Sequence, residues 1–188
     1  MRMGIDDPKL LDGLVEVLQS AGVVIMPCDT IYGFVGVAPQ TQAKIRELKG
    51  RQEKSFLRLI PDLQWLPRYT GASLPSKLKP YWPGALTVIF PAKKTGTVAL
   101  RIPDDPLLLQ VMRRLDRALF STSVNLSGKP ALWQIEDICS AFETRVDLVV
   151  AAGDRPQGIP STIVDITERP YRLLRRGAVD LPDGLFRE

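Results

Sequence analysis

The chain has no histidine. That absence removes Ser-His-Asp and Cys-His catalysis, imidazole acid–base chemistry and His-ligated zinc together. An enzyme built from this sequence must work by positioning and electrostatics, or through a carboxylate or a lysine. Cysteine is scarce: Cys28 and Cys139 stand far apart with no metal-type spacing, and both are expected to be reduced and structural. No apolar run approaches the ~20 residues that cross a bilayer. The opening Met1-Arg2-Met3-Gly4-Ile5-Asp6-Asp7 also lacks the apolar core of a secretory signal. The expectation is a cytoplasmic protein without a membrane partner. There is no Gly-x-x-x-x-Gly-Lys-Ser/Thr loop, and no Gly-x-Gly-x-x-Gly follows a strand, so a nucleotide would need a different cradle. Repeats and low-complexity tracts are absent as well.

What is present suits a single folded unit. The 188 residues, 45% hydrophobic and 24% charged, fit one domain over 1–188. A net charge of +4 is compatible with a nucleotide or RNA without requiring either.

Helical spacing of Leu10, Leu11, Leu14, Val15 and Leu18 predicts a helix over Pro8 to Ser20, and Val23 to Met26 a buried strand halted by Pro27. Ile31 to Val37, Phe56 to Ile60, Leu86 to Phe90 and Thr97 to Ile102 read as strands, the last two as a hairpin. Val146 to Val150, Thr162 to Ile166 and Tyr171 to Leu174 supply the rest. Thr41 to Leu48, Ser73 to Lys79, Pro106 to Leu115 and Ile135 to Phe142 read as helices. Strands and helices alternate, but the hairpin demands antiparallel pairing. The fold class is therefore α/β with α+β character, a mixed sheet covered by helices.

The richest polar stretch is Ser121-Thr122-Ser123-Val124-Asn125-Leu126-Ser127-Gly128, after the apolar Ala118-Leu119-Phe120. Hydroxyls and an amide offer both donors and acceptors, and placed after a strand they would converge with backbone N–H groups on an anion. A strand end followed by a turn and helix cap explains the same residues. Lys49 and Arg51 would supply cations for a polyphosphate, although cations also suit a helix C-terminus without any ligand. Pro27 to Gly33, Thr97 to Arg101, Pro160-Ser161-Thr162 and Arg175 also border strands, where open α/β sheets place ligands.

Several segments taken in order carry a family resemblance. They are Pro27-Cys28-Asp29-Thr30-Ile31-Tyr32-Gly33, Lys49-Gly50-Arg51, Trp82-Pro83-Gly84-Ala85-Leu86-Thr87, Arg101-Ile102-Pro103-Asp104, the Ser121 to Gly128 stretch, Pro160 to Asp165, and Arg175-Arg176-Gly177-Ala178. On these the chain resembles the YrdC-like family, the threonylcarbamoyl-adenylate synthases that begin the threonylcarbamoyl-adenosine modification of transfer RNA. It departs at Cys28, where the family usually has Thr, at Gln52 to Ser55, where only Lys54 of the usual pattern remains, and at Ala85.

The resemblance implies a twisted mixed sheet around a concave basic cleft. It implies ATP, L-threonine and bicarbonate or CO2 as reactants, with Mg²⁺ accompanying ATP and pyrophosphate released. Lys49, Arg51, Ser121, Ser123, Asn125 and Arg175 would then bind ATP. Thr30, Tyr32, Thr97, Arg101 and Ser161 would bind threonine, with the carboxylate on Arg101. No residue is assigned a catalytic acid, base or metal-ligand role. RNA or tRNA and the downstream tRNA threonylcarbamoyl-transfer proteins are the partners it implies. An RNA-binding module without synthase activity is the competing reading, and it would show exposed aromatics among basic residues.

Overall fold

The computed structural model describes residues 1–50, 56–156 and 158–186. Its strands, in chain order, are β1 (Arg2–Gly4), β2 (Val23–Cys28), β3 (Ile31–Val37), β4 (Leu57–Leu59), β5 (Leu86–Pro91), β6 (Thr97–Arg101), β7 (Leu119–Ser123), β8 (Leu148–Ala151), β9 (Thr162–Asp165) and β10 (Arg172–Arg175). They form one sheet in the order β1-β8-β2-β3-β7-β4-β6-β5-β9-β10. Pairing is parallel at β1–β8, β2–β8, β4–β6 and β5–β9, and antiparallel elsewhere. The expected mixed sheet is thus present, with the β5–β6 hairpin inside it.

Two helices cover part of one face: α1 (Leu10–Gln19), then α4 (Pro106–Leu115) later in the chain. α4 starts where the sequence says it should. Pro106 opens it and the Asp105 carboxylate accepts the Leu108 N–H at 3.0 Å, satisfying an otherwise orphaned donor. Leu10, Leu14 and Leu18 of α1 and Leu108, Val111 and Met112 of α4 bury against Val24, Val35, Val37, Leu59 and Leu119 of the sheet. On the opposite face α2 (Gln42–Lys49) and α5 (Ile135–Phe142) bury Ile45, Leu48, Ile138 and Phe142 against Ile25, Phe34 and Phe120. A third core lies where the 63–81 segment, with α3 (Leu66–Tyr69), packs Trp65, Leu78 and Trp82 on Leu86, Val88, Phe90 and Leu100.

Several expectations are corrected. β2 runs through Pro27 to Cys28. β8 pairs only with Val24 and Ile25, so at Pro27 the strand is bonded on one side, an edge-like position that tolerates the missing N–H. The 73–79 helix becomes a 3-10 stretch, Ser76–Tyr81, with Pro80 inside it. Ser121 to Ser123 do not follow a strand; they are its second half. β1 was unread.

Candidate active-site cleft

Strand register decides which residues share a face. Val35 stands opposite Ser121 and Gly33 opposite Ser123, Ser121 opposite Leu57, Ile89 opposite Ala99, Thr87 opposite Ile163, and Ile163 opposite Arg175. With the two-residue side-chain period, and with a register shift between Leu173 and Arg175 that brings Arg175 round, all of these lie on the face that α1 and α4 cover. The helices stop short, and the uncovered remainder is a cleft of about 460 Å³. Thr30, Arg101, Ser121, Ser123, Ser161 and Arg175, all expected at the site, line it together with Asn125. Arg101, Lys129 and Arg175 bring positive charge, and no carboxylate is among the described lining residues.

Gly33 keeps the floor open. A Cβ there would stand 3.0 Å from the Cys28 Sγ and 3.2 Å from the Ser121 Oγ. Cys28 is a thiol in this setting: burial pushes it up to about 12, against a smaller lowering from the Ser121 hydroxyl. It supplies no thiolate nucleophile near neutrality.

The tip of the β2–β3 hairpin fixes one end of the cleft. Asp29 and Thr30 are its turn residues, and Asp29 takes a left-handed φ of 45°, which Asp tolerates better than most. Its carboxylate accepts from the Arg101 Nη2 and the Asp104 N–H. Arg101 is 3% exposed, donates through Nε to the Gly84 carbonyl at 2.8 Å, and reaches the Thr30 hydroxyl at 3.5 Å. Burial raises the Asp29 carboxyl above its usual range, and the adjoining Arg101 charge only partly offsets this. Arg101 is thereby clamped in place with N–H groups to spare.

At the other end, Lys49 is 3% exposed. Its ammonium donates to the Ser123 carbonyl at 2.7 Å, the Asn125 Oδ1 at 2.7 Å and the Asn125 carbonyl at 3.2 Å. The Ser123 hydroxyl donates to the same Oδ1 at 2.7 Å, and the Asn125 Nδ2 donates to the Lys129 carbonyl. Lys49 is absent from the described cleft lining. Among its described contacts it holds Ser123 and Asn125 in place. Arg51 and the departures at 52–55 lie outside the described residues.

Other expectations change. Tyr32 is fully buried on the opposite face, its hydroxyl donating to the Gly153 carbonyl at 2.8 Å and accepting from the Ala152 N–H at 3.0 Å. It is core, one residue out of phase with Ile31 and Gly33. Thr97 is exposed at the far start of β6 and does not line the cleft. Ser121 has its main chain in the ladder between β3 and β4, so what it presents to the cleft is its hydroxyl.

Sequence reasoning gave no role to Thr87, which lines the cleft at 2% exposure. The signal existed: Leu86, Val88 and Phe90 alternate into one core, which leaves Thr87 and Ile89 on the other face. A second groove of about 680 Å³, between Leu66, Leu74, Lys79 and Lys93, has largely apolar walls and lacks this polar convergence.

Comparison with known proteins agrees with the architecture. The Sua5/YciO/YrdC family model, described as telomere recombination, matches residues 16–177. A Bacillus subtilis threonylcarbamoyl-AMP synthase is 33% identical over 94% of this chain and 56% of its own length. Escherichia coli YciO superposes with a TM-score of 0.82 at 24% identity over 96% of both chains. Pyrococcus abyssi Sua5, solved in complex with L-threonine, gives a TM-score of 0.82 at 24% identity over 94% of this chain and 57% of that one. At that identity the two structures speak to the fold. This chain spans little more than half the length of the Bacillus and Pyrococcus proteins. With the family model covering most of its length, in a sheet of the same build, the chain belongs to the Sua5/YciO/YrdC family.

Proposed function

We propose that the cleft joins L-threonine, bicarbonate and ATP into threonylcarbamoyl-AMP and pyrophosphate, the activated intermediate for threonylcarbamoyl modification of tRNA. The observation that carries this reading is the cleft itself. Three cations and a row of hydroxyls converge on one open sheet face with no lining carboxylate among the described residues. All the reactants are anionic or carry an anionic group, so their approach needs that charge.

The chemistry asks little of a protein base. A threonine amine and bicarbonate give a carbamate and water. A carbamate oxygen then bonds to the α-phosphorus of ATP as the bond from that phosphorus to the bridging oxygen breaks, and pyrophosphate leaves. In this account Arg101, clamped by Asp29 and Gly84, takes the threonine carboxylate beside Thr30. Lys129 and the second Asn125 Nδ2 proton face the phosphates, Ser123 would join them by turning its hydroxyl from the Asn125 Oδ1, and Lys49 holds their strand end. The described residues gather no group of three His, Cys, Asp or Glu able to hold a metal. Mg²⁺ accompanying ATP would supply further neutralisation of the phosphate charge, beside that of Lys129 and Arg175 in the cleft. With Cys28 a buried thiol, no covalent enzyme intermediate is invoked.

An RNA-only module has less support. Trp65 and Trp82 are packed in the third core, and Trp133, though exposed, is absent from the described cleft lining, so none offers a stacking platform within the cleft. Among the described residues no helix is long and apolar enough to cross a membrane. The product would pass to a tRNA threonylcarbamoyl-transfer protein.

Pyrophosphate release with a panel of amino acids tests the reading. Threonine should be preferred. Valine, which lacks the hydroxyl, should fall by at least ~10²-fold, and serine by roughly 10-fold. Equal rates with valine and threonine, or release independent of bicarbonate, would reject it.

A further inference from the structure

Two buried hydroxyls in the cleft are left with a proton to spare. Thr87 on β5 is 2% exposed, and Ser161, just ahead of β9, is 4% exposed. Their oxygens lie 2.8 Å apart. Ser161 also accepts from the Arg175 Nη2 at 3.2 Å, while the Arg175 Nε donates to the Ser161 carbonyl at 2.9 Å. A pair of hydroxyls carries one proton each, and only one of these can serve the bond between them. No other acceptor for either hydroxyl stands among the described residues. Whichever oxygen donates, one O–H remains to point into the cleft, and burying it unused is costly.

The surroundings say what it meets. Arg175 spends two of its five N–H groups on Ser161, which leaves others for a ligand. Partial burial of its guanidinium, and then the nearby Arg101 charge, lower its proton affinity. Ile89 and Ile163 beside them are apolar, which strengthens any hydrogen bond made there. An aligned donor chain from a cation through two hydroxyls, over an apolar floor, fits a small planar oxyanion. It is too slight for a polyphosphate.

On the function proposed above, the threonine carboxylate belongs to Arg101 and the phosphates to the Ser123 end. One anion remains. We infer that Thr87, Ser161 and Arg175 form the subsite for bicarbonate and for the carbamate carboxylate made from it. They would hold the carbon centre next to the Arg101 end, on the strands that follow β6 in the sheet. Thr87 is then a substrate-binding residue.

The test compares wild type with Thr87→Val, which keeps the shape and removes the hydroxyl, and Thr87→Ser, which restores it. Thr87→Val should raise the KM for bicarbonate by ~10-fold, the worth of one hydrogen bond, with the KM values for threonine and ATP changed less than about 2-fold. Thr87→Ser should recover most of the loss. A bicarbonate KM unmoved by Thr87→Val, or a rise in the threonine KM alone, would overturn the subsite. Binding of ¹³C-labelled bicarbonate, followed by line broadening without ATP or threonine, needs no turnover. Broadening by wild type and Thr87→Ser but not by Thr87→Val supports the subsite even if no adenylate forms, in which case only the proposed function fails. Equal broadening by all three proteins overturns it.

Discussion

One face of one sheet holds two regions built from the same strands, and they could hardly differ more. Along β3 and β7, Val35, Val37 and Leu119 are buried under α1 and α4, whereas a few residues away Gly33, Ser121 and Ser123 line an open cleft. Backbone pairing is continuous through both. Pleat and register therefore do not separate core from site; the cover does. Where helices supply leucine side chains, the strands answer with Val and Leu, and the gain is about 1.5–3 kcal/mol for each large apolar side chain fully buried. Beyond the helices the same face has no apolar cover, and among Leu57, Ile89 and Ile163 it carries hydroxyls, guanidiniums and a glycine.

Exchanging characters between the regions should break each in its own way. Leu119→Ala, in the covered half, should cost about 2–5 kcal/mol of stability through transfer loss and the cavity left behind. Chemical denaturation would show this, while activity per folded molecule stays within about 2-fold. Gly33→Val carries the covered pattern into the open half. Its Cβ would meet the Cys28 Sγ at 3.0 Å, so the floor must shift by a few tenths of an ångström. Adenylate formation should then fall by ~10²-fold, the usual result of slight misplacement, with little change in the denaturation midpoint. Loss of folding in Gly33→Val, or loss of activity in folded Leu119→Ala, would erase the distinction between the halves.

The smallest effect belongs to the rim. Burial alone would raise the Asp165 carboxyl, but the Thr167 hydroxyl and amide and the Arg172 guanidinium outweigh it, so it sits below its usual range. A depressed folded pKa contributes stability above the unfolded value of 3.8 and loses it as pH falls through the folded value. Asp165→Asn should flatten the acid side of the stability profile below about pH 4, by at most ~1 kcal/mol because Arg172 is largely exposed. An unchanged acid slope would remove Asp165 from this role.

The same contrast explains what could be read from the sequence. α4 is legible from Asp105-Pro106 and α5 from the spacing of Ile135, Ile138 and Phe142, since both present an apolar stripe to a core. The β5–β6 hairpin shows itself for the same reason. Ser121 to Ser123 looked like a turn because strand alternation is visible only where one face is covered by apolar groups. On the open face the alternation persists in geometry without its hydrophobic signature. Tyr32 was misplaced by one residue of phase, which in a strand is the whole thickness of the sheet. Thr87 went unassigned because its partners, Ser161 and Arg175, are distant in the chain and meet only through the β5–β9–β10 register. The clamp of Lys49 on Ser123 and Asn125 likewise depends on how α2 returns to the sheet, which no local pattern encodes.

Backbone amide NMR of the ¹⁵N-labelled protein, titrated with Mg²⁺-ATP and L-threonine, tests the claim that the uncovered half of this face is the site. The account predicts shifts concentrated at Gly33, Ser123, Asn125 and Ile163, with Val37 and Leu119 nearly still. Shifts gathered instead around Leu66, Leu74 and Lys79 in the apolar groove, or none at Ser123 and Asn125 at saturating ligand, would contradict it.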